Sequence, residues 1–104
     1  MRDGVHAVYV LGVMPPSRGA DLATVERWQR AVDSIVTPVT DDEAVVLMNA
    51  LPRGEDDFFG LAFSLQHACE TAPNYGDTLV ASSDVSGHWR DVLLVRLENA
   101  DLET

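Results

Sequence analysis

GEDDFFGLAFSLQHACETAP, residues 54–73, opens on a glycine and three acids, runs through an apolar helical pattern and stops at a proline. Phe58, Ala62, Leu65 and Cys69 recur at i, i+4, i+7 and i+11, the spacing of one helix face. Leu61 and Ala68 widen that stripe, and Phe59 and Phe63 fall on an adjoining face. The pattern predicts a helix over residues 56–71 that is apolar around more than half its circumference. Such a helix sits centrally, with neighbours on two sides. The acids at Glu55, Asp56 and Asp57 suit its positive N-terminal end, and Pro73 follows its stop.

Three further helices read outward from this block. Over residues 21–36, Val25, Trp28, Val32 and Ile35 line one face, with Asp21 as N-cap and Pro38 beyond the end. Over residues 41–51, Thr40 and Glu43 form a capping box, and Asp41 and Asp42 complement the helix dipole. Over residues 88–100, Trp89, Val92 or Leu93, and Leu97 make an inner face, with Ser86 as N-cap. Residues 74–87 read as a long loop rich in turn formers, with a short strand at 78–81. Residues 7–11, Ala-Val-Tyr-Val-Leu, are the best strand candidate in the chain. An isolated strand cannot satisfy its own backbone, so it would pair with 78–81 or with a second copy of the protein. Residues 1–16 are therefore expected to form an N-terminal arm or strand, and residues 17–104 a single helical domain. The fold class is all-α, a compact bundle of about four helices.

Length and composition bound the function. At 104 residues the chain is one domain with room for one core. The apolar stretch 7–14 is far short of the roughly 20 residues that span a bilayer. It runs into Met14-Pro15-Pro16 with no small-x-small cleavage site, which favours a strand or packed arm over a signal peptide. The single cysteine excludes an internal disulfide and any multi-cysteine zinc site, and a reducing cytoplasm is the simplest home. Seventeen acids face seven bases, and every base is arginine. The absence of lysine excludes a P-loop lysine and a Schiff-base lysine. A net charge of −10 repels nucleic acid and anionic membrane and attracts basic partners.

The residues with chemistry in them have structural readings. Asp41–Asp42 and Asp56–Asp57 stand at helix starts, where acids serve as caps, and adjacent helical residues point about 100 degrees apart. His67 and Glu70 share a helix face at i, i+3, but the pair is single and reversed from the order used in carboxylate-bridged di-metal bundles. His88 would complete such a site only through the fold. Cys69 lies in the apolar stripe beside Glu70, which raises a thiol's pKa and marks it as inert. Ser82, Ser83, Ser86 and His88 lack a nucleophile elbow. Trp28 and Trp89 fit inner helix faces, and Tyr75, in a polar stretch, is the better exposed aromatic.

The block 54–73, with Asn74-Tyr75 after it, resembles a recurring segment of small bacterial proteins of unassigned function. Its pattern is an acidic turn, an aromatic, Gly-Leu-Ala, an aromatic, then His and Glu-x-Ala-Pro. The resemblance covers about a fifth of the chain. Gln66 and Cys69 stand where that pattern has aliphatics. It implies a bacterial all-α domain and adds no catalytic residue.

These readings favour a small acidic protein–protein interaction module over an enzyme. The best fit is an immunity protein or antitoxin that occludes a basic toxin, with Asp41, Asp42, Glu43, Glu55, Asp56, Asp57 and Tyr75 facing the partner. No catalytic residue, metal or cofactor is expected. The alternatives are a homodimeric structural or regulatory subunit, and a metal-binding protein using His67 and Glu70.

Overall fold

The computed structural model of the chain describes residues 2–54, 56–81, 88–89 and 91–95. The described residues are all-helical with no strand: α1 (Asp3–Leu11), α2 (Leu22–Asp33), α3 (Asp41–Ala50), α4 (Leu61–Glu70) and α5 (Tyr75–Ala81). Residues 88–89 and 91–95 are helical too. The expected helix over 88–100 lies outside the described residues at 90 and 96–100. Among the described residues no helix is long and apolar enough to cross a membrane.

The hub is α3, which packs against α1, α4 and α5. It is lined by Ala44, Leu47, Met48 and Ala50, all buried, and the two alanines let neighbours approach. The thiol of Cys69 on α4 lies 3.8 Å from the Ala44 carbonyl. Helix α4 also meets α2, and Trp89 leans edge-on against its Phe63 with ring centroids 5.2 Å apart. Both tryptophans are buried, so they serve the core.

Local signals set the starts of α2 and α3. The Asp21 carboxylate accepts the Thr24 N–H at 2.8 Å. At α3 the Thr40 hydroxyl accepts the Glu43 N–H, and the Glu43 carboxylate accepts the Thr40 N–H, a complete capping box.

Three expectations need correction. Residues 7–11 are helical, inside α1, and not a strand. Gly4, Val5 and Val8 point into the core while Tyr9 and Val10 face out, a helical alternation. A helix satisfies its own backbone, whereas the strand's supposed partner at 78–81 is itself inside α5. Packing has overridden the β-propensity of Val-Tyr-Val. Val5, Val8 and Met14 all belong to the core, so the first sixteen residues are no loose arm. Gly12, at φ 86°, ends α1 by turning its N–H back to the Val8 and Tyr9 carbonyls. The Met14 N–H then binds the Ala50 carbonyl at 2.8 Å and ties this segment to the end of α3.

The second correction concerns residues 74–81, expected as loop and strand, which hold α5. Residues 82–87 of that stretch lie outside the described residues. The third is the start of the helix expected over 56–71, which begins at Leu61. Asp56 accepts the Phe58 N–H at 2.7 Å, and Phe58, Phe59 and Gly60 follow with φ of 46°, 58° and 85°. Three successive left-handed residues cannot continue a right-handed helix. The turn drops Phe58 into the core against Trp28 and leaves Phe59 exposed.

Candidate functional site

The acidic residues expected to face a partner are largely engaged within the protein. Glu43 is buried, its side chain 3% exposed, and pairs with Arg2 at 2.9 Å. Its other carboxylate oxygen accepts the Arg2 Nε–H and the Arg2 backbone N–H, both at 3.2 Å. Arg2 also donates to the Pro38 carbonyl at 2.7 Å. The Arg2 guanidinium, aided by the Thr40 N–H, holds the Glu43 carboxyl down at about 2. Glu43 is therefore a clamp between the start of α1 and the start of α3 and is removed from the partner-facing set.

Asp41 accepts the backbone and side-chain N–H groups of Asn74 at 2.9 and 3.0 Å, which hold its carboxyl below the usual range. Asp56 accepts the Ser17 hydroxyl at 2.6 Å and the Ser17 N–H at 3.0 Å as well as the Phe58 N–H, and is likewise held low. It staples the 15–20 segment to the turn before α4. Asp42 is exposed and Asp57 half-buried. Tyr75 is half-buried and packs on the core, correcting its reading as an exposed aromatic. Glu55 lies outside the described residues. The set is not gathered into one patch. Asp41 and Asp42 open α3, while Asp56 and Asp57 follow its far end, about 15 Å along the axis of a ten-residue helix.

The metal and nucleophile readings find no site. Among the described residues, no group of three or more His, Cys, Asp or Glu side chains is placed to hold a metal ion. Gln66 donates its Nε2–H to Glu70 Oε1 at 3.2 Å, while His67 is exposed one residue on. Cys69 is buried, and burial, with the Glu70 charge second, pushes its thiol far up. It is no nucleophile at neutral pH.

Sequence reasoning missed a groove between α4 and the helical residues 88–89 and 91–95. Its volume is about 390 Å³. Phe63, Gln66 and His67 line one wall at i, i+3 and i+4. His88, Asp91, Val92 and Val95 line the other at i, i+3, i+4 and i+7. These two helix rows make the walls of the cleft. Its apolar walls are open to solvent, Phe63 being 46% and Val95 54% exposed. Gln66 is only 1% exposed, and among the described residues its Oε1 has no hydrogen-bond partner. The buried Trp89 Nε1–H, behind Phe63, also has none. A buried acceptor left unpaired is costly, of order 1–3 kcal/mol. The signal in the sequence was Gln66 itself, a polar residue inside an aliphatic stripe.

No family model matches the chain, and no curated protein or solved structure matches it. The resemblance carried by residues 54–73 therefore stands on the sequence pattern alone.

Proposed function

We propose that the chain is a small acidic interaction module that binds a basic protein and occludes a functional surface of it, as an immunity protein or antitoxin does. The observation that carries this reading is the α4 groove in a chain of net charge −10. A half-exposed aromatic and a valine around a desolvated polar acceptor form the kind of centre that anchors an interface. The surrounding charge steers a cationic partner towards it. The contact surface differs from the acidic patch expected from sequence, since Glu43, Asp41 and Asp56 are held by internal bonds. Asp42 and Asp57 contribute to the field and not to a shared face.

The test is affinity capture at low salt from a bacterial host, followed by reconstitution of the captured protein in pure form. A basic protein is expected to bind one to one, lose its own activity in the complex, and weaken by about tenfold or more between about 50 and about 500 mM salt. Affinity that is flat across that range, or a complex in which the partner stays fully active, would overturn the occlusion reading.

A further inference from the structure

We infer that the α4 groove is an arginine-side-chain receptor: it takes one guanidinium of the basic partner, and this rests on the partner reading given above. The groove offers the complement of that group at each point. A guanidinium is planar and weakly hydrated, stacks on aromatic faces, and carries five N–H donors and no acceptor. Phe63 supplies an exposed ring on one wall, with the imidazoles of His67 and His88 on either side of the cleft. Val92 and Val95 supply an apolar wall for the three methylenes. Gln66 Oε1 has no hydrogen-bond donor among the described residues, and Asp91 is an exposed carboxylate on the opposite wall.

Other occupants fit less well. A carboxylate or phosphate would face Asp91 in a chain of net charge −10. A purely apolar ligand would leave Gln66 Oε1 as unsatisfied as it is now. An ammonium satisfies the charge but lacks the flat face that stacks between rings.

The experiment titrates the ¹⁵N-labelled full chain with Nα-acetyl-arginine methylamide. The neutral isostere Nα-acetyl-citrulline methylamide is the control. Saturable shifts are expected at the Trp89 indole N–H, the His67 and His88 rings and the Val92 and Val95 methyls, with arginine at least about tenfold tighter than citrulline. Asp91→Asn, an exposed change, and Gln66→Leu, checked for folding by its urea midpoint, are each expected to weaken the probe about fivefold or more. Equal response to the two probes, shifts without saturation, or full affinity in Asp91→Asn would overturn the inference. The two failures are separable. A basic partner whose footprint misses the groove ends this inference and leaves the partner reading standing. A groove that binds arginine in a chain that captures no basic protein does the reverse.

Discussion

Replacing Glu43 by glutamine removes the charge of the Arg2–Glu43 ion pair and one of its two acceptor oxygens. The amide keeps the shape of the side chain and an oxygen for the Thr40 N–H, so the cap survives while the attraction to Arg2 is lost. The carboxyl is moved from its ordinary value near 4.5 to about 2 in the folded chain. That gap sets an upper bound of about 3 kcal/mol on the stabilisation it reports. The Arg2 side chain is 45% exposed, so water screens the pair from one side, and about 1.5 kcal/mol is the better figure. With a urea slope of roughly 1–1.5 kcal/mol per molar for a domain of this size, the midpoint should fall by about 1 M at pH 7. Trp28 and Trp89, both buried, report the transition by fluorescence. The sign with pH is fixed by the direction of the shift. A depressed carboxyl stabilises fully above the unfolded value of 4.5, and its contribution is lost as pH falls towards 2. The gap between wild type and Glu43→Gln should therefore shrink by more than half by pH 3. Equal midpoints at pH 7 would refute the clamp. A gap that persists undiminished at pH 3 would show that packing, not charge, is what the substitution removes.

Three further outcomes follow from particular contacts. Gly4→Ala should destabilise by about 1–2 kcal/mol in urea unfolding: helix propensity alone favours alanine by about 1 kcal/mol, but the added carbon falls on the Ser34–Ile35 backbone, 2.6 Å from the Ser34 carbonyl carbon and 2.8 Å from the Ile35 nitrogen. A stabilised variant would show that α1 does not lie against the end of α2. Gly60→Ala should cost about 1 kcal/mol through its φ of 85° alone, since nothing lies within 4 Å, whereas Gly54→Ala, equally open and without a positive φ, should stay within about 0.5 kcal/mol of wild type. Matching melting temperatures for the pair would contradict the left-handed turn before α4. Cys69 should resist a disulfide thiol reagent at pH 8 in the native chain and react only as urea unfolds it; rapid labelling without denaturant would place it at the surface.

The parts of the fold legible in the sequence are those written in contiguous residues. Asp21, Thr40 and Glu43 announce their helix starts because capping acts over three residues. The stripe Leu61, Leu65 and Cys69 announces α4 because burial follows the helical period. What could not be read depends on distant partners. The Val-Tyr-Val run reads as strand until Val5 and Val8 find the core against α2 and α3, and Glu43 reads as a surface acid until Arg2 arrives from 41 positions away. The same logic applies to the acidic residues. Acid content fixes the net field, which acts at a distance whatever each carboxylate touches, but each acid that ties two segments together is no longer available to a partner. Glu43, Asp41 and Asp56 each make such a tie, between α1 and α3, α3 and the start of α5, and the 15–20 segment and the turn before α4. On the proposed reading, specific contact falls where the fold leaves a polar atom unmatched, which among the described groove-lining residues is Gln66 Oε1. On the proposed reading, charge accounts for the attraction of a basic partner, and the Gln66 acceptor accounts for where its guanidinium comes to rest.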